Sequence, residues 1–318
     1  MMRQCFYLKL LVFTILFSFS SISLAQENSG TWPKRILITN DDGIDNVRIK
    51  LLARAFAKIS ETYVVAPLQD RSDSSNYSPR NYKLLVESRM LGEGIHAYGV
   101  DGFPADCIML ALFGLMRDKP PDLVISGINS GPNLGEGWFG SGTIGAARMA
   151  ALLGIPAIAV SSGLHTDTPD ALNSAISWVV RLTQSDLVRK LKPPQYLTID
   201  IPPVSPEKIK GVRFTERSAP LSLDERMKLV TFRKLENAVP GKSHKANSNY
   251  DVWRKAEINL KDWCENYKVD YARDISLYKS GYVVVVPMIA NEIDYKSLNL
   301  LRRESVMLPD WELTIKNR

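Results

Sequence analysis

The chain has 318 residues, 45% of them hydrophobic, and a formal net charge of +6. That length holds one large domain or two small ones. The charge excess is mild, and no long basic run is interleaved with aromatics. This argues against a nucleic-acid polymer as partner and favours small anionic substrates.

Arg3 and Lys9 precede an apolar run from Leu10 to Phe17, and Ser23-Leu24-Ala25 has the small-x-small form of a cleavage site. Residues 1–25 therefore read as a secretory signal peptide whose apolar part is too short to span a membrane. No cysteine follows at the cleavage point, so no membrane anchor is expected. The expectation is export, with cleavage near Ala25 and residence in a bacterial periplasm. Losing Arg3 and Lys9 lowers the formal charge from +6 to +4. Cys5 leaves with the leader, Cys107 lies in an apolar helical pattern and reads as core, and Cys264 lies in a polar, aromatic stretch. Two lone cysteines make no disulfide framework, and no spacing suggests a zinc site.

The first strand of the mature chain is the β-branched run Ile36 to Ile38, which ends abruptly in Asn40-Asp41-Asp42-Gly43. Ile49, Leu52, Ala53, Phe56 and Ala57 then recur at helical spacing, and Tyr63 to Ala66 reads as a second strand. Strand, helix and strand in this space make one βαβ unit of a parallel sheet. A polar loop, Leu68 to Pro79, carries Arg71, Ser72, Ser74, Ser75 and Asn76. Two short pieces, Tyr82 to Glu87 and Gly94 to Gly99, read as an antiparallel excursion. Asp106 to Met116 is an apolar helix, and Asp122 to Ser126 a third parallel strand running into the loop Gly127-Ile128-Asn129-Ser130-Gly131-Pro132-Asn133. Ser141-Gly142-Thr143 opens a helix of small residues, Ile144 to Leu153. Pro156 to Ser161 is a fourth strand, Asp170 to Val188 a long amphipathic helix, and Gln195 to Ile201 a fifth strand.

Beyond Pro202 the pattern weakens. Gly211 to Thr215 and Lys228 to Lys234 read as strands, paired as a hairpin, and residues 237–268 are polar, with Trp253 and Trp263 as anchors. Gly281 to Pro287 is an apolar run expected to return to the core, followed by a helix from Glu292 to Arg303 and a tail. The fold expectation is α/β: a Rossmann-like, mostly parallel sheet with helices on both faces, plus a hairpin and C-terminal arm. The divisions are a leader (1–25), a core (26–215), a variable hairpin and arm (216–280), and a returning strand with helix and tail (281–318).

Three strand ends supply oxygen ligands: Asp41 and Asp42, then Ser72, then Asn129. Two carboxylates, a hydroxyl and an amide oxygen make a hard set suited to Mg²⁺, Mn²⁺ or Ca²⁺. Asn133 and the Ser141-Gly142-Thr143 helix start add neutral donors, and a helix N-terminus with a glycine suits phosphate oxygens. A cation beside such a helix start suits phosphate-ester hydrolysis. Each piece alone also has an ordinary reading: a surface turn for Asp41-Asp42-Gly43, a loop serine for Ser72, a turn residue for Asn129, an N-cap for Ser141 or Thr143. Their common placement after successive strands favours the joint reading.

These stretches resemble the SurE family of survival-protein nucleotidases. The resemblance rests on Ile36 to Gly43, Val65-Ala66-Pro67 with Arg71-Ser72, Gly102 to Cys107, and Pro121 to Gly135 with Ser141-Gly142-Thr143; a weaker match joins Asp270 and Ala272 to Gly281-Tyr282-Val283 and Pro287. It implies a metal-dependent phosphatase acting on nucleoside 5′- and 3′-monophosphates. It implies one divalent metal, Mg²⁺ or Mn²⁺, per subunit on Asp41, Asp42, Ser72 and Asn129, with Asp41, Asp42 and Asn129 as the catalytic set. It places phosphate on Asn133, Ser141, Gly142 and Thr143, and it implies a homodimer or homotetramer. The chain departs from the family pattern at Asp45-Asn46-Val47-Arg48, at Asp73 where a glycine is common, and at Pro79 where a hydroxyl residue is common. Asp73 and the altered loops motivate an alternative, an exported nucleotide- or phosphate-binding module without turnover; a broad acid phosphatase or polyphosphatase is a third reading. His96, His165 and His244 lie outside the matched motifs, so no general acid is named.

Overall fold

In the computed structural model, the structure describes residues 32–79, 81, 83–163, 169–218, 222–224, 231–234, 256–259 and 273–291. In chain order the elements are β1 (Arg35–Thr39), α1 (Val47–Phe56), β2 (Glu61–Pro67), β3 (Val86–Arg89), β4 (Ile95–Val100), α2 (Pro104–Leu110), β5 (Leu123–Ser130), α3 (Gly137–Gly140), α4 (Gly142–Leu152), β6 (Ala157–Ser162), α5 (Pro169–Thr183), α6 (Asp186–Arg189), β7 (Gln195–Ile201), β8 (Val212–Phe214), β9 (Thr231–Lys234), β10 (Ala256–Asn259), α7 (Asp274–Lys279) and β11 (Val283–Ile289).

Nine strands form one sheet in the order β3-β4-β2-β1-β5-β6-β7-β11-β8. The run β4-β2-β1-β5-β6-β7 is parallel, while β3 and β11 lie antiparallel to β4 and β7. Side chains alternate across the sheet, and both faces are covered. Ile36 and Ile38 of β1 join a core with α1 and α5 residues, and Leu37 joins a second core with α2 and α4 residues. That is why the strand reads as a continuous apolar run. α1 starts at Asn46, whose side chain accepts from the Arg48 N–H at 2.8 Å. It buries Ile49, Leu52, Ala53 and Phe56 at helical spacing.

The chain winds from β1 outward through β2 to β4, then crosses back to place β5 on the other side of β1. The point where strand order reverses, between β1 and β5, leaves a crevice beyond the strands' carboxyl ends, where ligands of open α/β sheets gather.

Several expectations need correction. β5 does not stop at Ser126: it runs to Ser130, with a register irregularity between Gly127 and Asn129, so Asn129 sits on the strand and not in a free loop. The helix expected over Asp106 to Met116 is α2 followed by a π-helical turn, Ala111–Leu115. The long helix expected to Val188 breaks after Thr183, because the Ser185 hydroxyl and N–H both turn back to the Leu182 carbonyl (2.6 and 3.0 Å). The first piece of the antiparallel excursion begins only at Val86, and Tyr82 lies outside the described residues. The strands near residues 212 and 231 do not pair with each other. β8 adds to the main sheet parallel to β11, and β9 pairs antiparallel with β10 in a separate ribbon. A strand's own sequence does not specify its partner, and β11 offers β8 an edge within the core. Cys107 is fully buried, as expected of a core residue. The leader, Cys264, Trp253, Trp263, His165, His244, Asp270, Ala272 and the helix expected from Glu292 lie outside the described residues.

Candidate active site

β1 delivers its carboxylates through a tight turn. The Asn40 side-chain amide donates to the Gly43 carbonyl at 3.0 Å, and Gly43 takes φ +97°, which suits glycine. The Ile44 N–H donates to the Pro67 carbonyl and the Arg71 N–H to the Asp41 carbonyl, both at 2.7 Å, so the loop after β2 is tied to the turn.

Asp41 is 3% exposed. Its carboxylate accepts the Thr143 N–H at 3.0 Å on one oxygen and the Thr143 hydroxyl on the other. The start of α4 thus sits directly on Asp41. A Cβ on Gly142 would stand 2.9 Å from the Asp41 Cβ and 2.6 Å from the Ser74 hydroxyl, so only glycine permits this approach. Ser141 caps α4, its hydroxyl accepting the Ile144 N–H at 3.1 Å.

Burial raises the Asp41 carboxyl above its ordinary range against the pull of the Thr143 hydrogen bonds. Asp42 is raised to about 6, first by burial and then by the Asp41 charge, while the Ser130 N–H and Arg48 pull it down. One oxygen of Asp42 is buried without a hydrogen-bond partner. Arg48 is itself buried and donates to the carbonyls of Asn129 (3.2 Å) and Ser162 (3.3 Å).

The other expected ligands are neighbours of residues that touch the two acids: Ser72 follows Arg71, whose N–H donates to the Asp41 carbonyl, and Asn129 precedes Ser130, whose N–H bonds Asp42. Asn129, at the end of β5, donates its amide to the Gly131 carbonyl at 3.0 Å, leaving its side-chain oxygen as an acceptor. Ser72 is exposed and gives its hydroxyl proton to Asp70 at 2.6 Å, leaving its oxygen as an acceptor. Asn133 is nearly buried, its side-chain amide donating to the Ser161 hydroxyl at 2.7 Å.

Among the described residues no group of three His, Cys, Asp or Glu side chains is arranged to hold a metal ion. A divalent cation here would need the neutral oxygens of Ser72 and Asn129 beside the two carboxylates, a hard oxygen set. The unpartnered Asp42 oxygen and the mutual repulsion of Asp41 and Asp42 fit a cation, which would relieve both.

The profile of the Survival protein SurE family matches residues 36–221. The chain belongs to the SurE family. It is 32% identical over 270 residues to a protein named 5′-nucleotidase SurE from Alkaliphilus metalliredigens, covering 84% of this chain and 97% of that one. It is 33% identical over 274 residues to the 5′-nucleotidase SurE of Desulfatibacillum aliphaticivorans, covering 86% and 99%. The crystal structure of the SurE protein from Aquifex aeolicus superposes with a TM-score of 0.65 at 26% identity, covering 85% of this chain and 99% of that one.

Against the SurE pattern, Asp73 takes φ +58° and is exposed. A left-handed residue after Ser72 suits a glycine, and Asp is among the residues that tolerate the conformation. Sequence reasoning missed Asp70, whose charge pushes up both Asp41 and Asp42. The signal was its place two residues before Ser72, where its carboxylate accepts the Ser72 N–H at 2.8 Å as an Asx turn. It also missed Asp200, Arg217 and Asp274, a buried charged cluster behind the Asn133 loop. An Asp between Ile199 and Ile201, in a strand buried from Tyr196 onward, was the visible hint.

Proposed function

We propose that this chain hydrolyses nucleoside 5′-monophosphates to nucleoside and inorganic phosphate, depends on a divalent metal, and also accepts 3′-monophosphates. The observation that carries the reading is Asp41 and Asp42, side by side in the switch-point crevice, with the N-terminus of α4 seated on Asp41. The names of the relatives support the substrate class. One Mg²⁺ or Mn²⁺ ion per subunit would be held by Asp41, Asp42, Ser72 and Asn129, and when bound would supply a Lewis acid to a phosphoryl oxygen.

The chain's own residues do the rest. Thr143 fixes the orientation of Asp41 by holding both its oxygens. Asp70 takes the Ser72 hydroxyl hydrogen, so that the Ser72 oxygen serves as an acceptor. The positive end of the α4 dipole, reached through Ser141, Gly142 and Thr143, favours the phosphate dianion. Asn133 lines the same end of the sheet on a loop fixed from behind. The leader-like sequence supports export to the periplasm, and the arm beyond the core supports assembly as a homodimer or homotetramer.

The test is phosphate release from 5′- and 3′-monophosphates of all common bases, with Mg²⁺, with Mn²⁺ and with chelator. Release that requires metal and favours 5′-nucleotides is the expected result. Folded protein that releases phosphate equally well in chelator overturns the metal dependence, and none with any metal overturns the hydrolase.

A further inference from the structure

The loop Gly131–Gly135 carries Asn133 and follows Asn129. Its Gly131 N–H donates to the Ser162 carbonyl of β6 at 2.9 Å, and three charged side chains, Asp200 of β7 with Arg217 and Asp274 from later in the chain, hold the rest. The Asn133 N–H donates to Asp200 at 2.6 Å, and the Gly135 N–H donates to Asp274 at 2.9 Å. Arg217 donates to the Asn133 carbonyl at 2.6 Å. The same guanidinium reaches Asp274 at 3.1 Å, Asp200 at 3.7 Å and the Thr198 hydroxyl. Asp200 and Asp274 are about 1% exposed or less. Each of the three charged side chains makes at least one hydrogen bond to the loop backbone.

The cluster also closes a long detour of the chain. Ser218 gives both its N–H (2.8 Å) and its hydroxyl (2.7 Å) to Asp274, 56 residues further on. The Asp274 N–H donates back to the Glu216 carbonyl at 3.2 Å. The carboxylate that receives Gly135 therefore also fastens the two ends of the segment between Ser218 and Arg273.

We propose that Arg217 and Asp274 are positioning residues for the phosphate side of the site: they set the place of Asn133 and join its loop to Ser218. The proposal rests on the nucleotidase reading for its substrate, but not for its geometry. Asp41 and Asp42 stand on β1 and are held by Thr143, outside this cluster. Of the proposed metal ligands, Asn129 alone is tied to the loop, at Gly131, so disturbing Arg217 weakens phosphate binding more than metal binding. Only a guanidinium fork reaches a carbonyl, a hydroxyl and two carboxylates at once; a lysine ammonium does not.

The experiment compares Arg217→Lys and the milder Thr198→Val with the parent in the full chain, by hydrogen exchange of peptides spanning 131–137 and by calorimetric titration with Mn²⁺ and then inorganic phosphate. Exchange is expected to rise in 131–137 ahead of the remaining sheet. Phosphate affinity is expected to fall about tenfold with Arg217→Lys, with Mn²⁺ affinity held within about twofold, as for loss of a supporting contact behind a ligand. Thr198→Val, which removes one acceptor, should give a smaller change of the same kind. Unchanged exchange at the loop in both variants overturns the proposal. So does loosening spread evenly over the sheet, or a parallel loss of Mn²⁺ affinity. If the parent releases no phosphate from any nucleotide while loop exchange still rises in the variants, the nucleotidase reading fails and the clamp stands.

Discussion

Two groups of buried acids are built on different terms. Asp200 and Asp274 are enclosed with Arg217 and receive backbone N–H groups from Asn133, Gly135, Ser218 and Ile275. Asp41 and Asp42 face each other with Asp70 nearby, and an oxygen of Asp42 has no partner. The first group holds backbone in place around one cation, although the Arg217 Nε has no hydrogen-bond partner and burial still raises Asp200 to about 6. Burial of charge alone does not mark a ligand site. What separates the two groups is where their hydrogen bonds go: to loop backbone at Asp200 and Asp274, to the helix start at Asp41.

The largest effect that tests this contrast is on turnover. Asp41→Asn should lower metal-dependent phosphate release by about a thousandfold or more, since it removes a charge at the reacting centre, while leaving the far-ultraviolet circular dichroism unchanged. Full activity in this variant would remove Asp41 from the site.

Opposite changes in stability come next. Arg217→Met strands two buried carboxylates and should destabilise the protein by about 3–5 kcal/mol in urea unfolding. Asp42→Asn relieves repulsion, and should raise the melting temperature of the metal-free protein at pH 8. If both variants lower stability alike, the two groups of acids are not built on different terms.

Thr143→Val removes the hydroxyl that holds Asp41 and keeps the helix start. Metal affinity by calorimetry should fall about ten- to a hundredfold, as for loss of a ligand's supporting hydrogen bond. An effect on phosphate binding alone would return Thr143 to a direct phosphate role.

The pH dependence sharpens the comparison further. Burial raises the Asp200 carboxyl to about 6, against the pull of Arg217 and the Asn133 N–H. In the folded state it therefore holds its proton more tightly than in the unfolded chain. Its contribution to stability is largest below the ordinary carboxylate pKa and declines as pH rises toward 6, by on the order of 3 kcal/mol, then levels off. Asp200→Asn keeps an acceptor for the Asn133 N–H and should flatten that part of the profile in melts at pH 4, 5, 6 and 7. Asp42, also raised, titrates in both proteins and drops out of the difference. An unchanged slope would mean that Asp200 does not titrate in this range.

The smallest effect is expected at Asp73. Asp73→Gly at φ +58° should stabilise the protein by up to about 1 kcal/mol and leave turnover unchanged. A large rise in turnover would instead make this acid a brake on the site.

What the sequence revealed depended on how local the cause was. β1, β2, β6 and β7 were legible because each is an apolar run of a strand buried on both faces, and Asp41 and Asp42 because two acids interrupt such a run. The start of α4 was legible through the Ser141 cap and its small residues. The continuation of β5 to Ser130 was hidden by Gly127, which reads as the start of a loop but lies within a strand of irregular register. The pairing of β8 and the cluster behind Asn133 were hidden for a different reason. Gly135 and Asp274 are 139 residues apart, and Arg217 lies 84 residues from Asn133. No periodicity or motif spacing encodes contacts at that range.

The Asp274 junction has a further meaning for how such a chain can change over time. One carboxylate receives N–H groups from Gly135 and Ser218, which stand 139 and 56 positions before it. A substitution at that carboxylate is felt at two distant places in the chain at once, so the two places must change together or not at all.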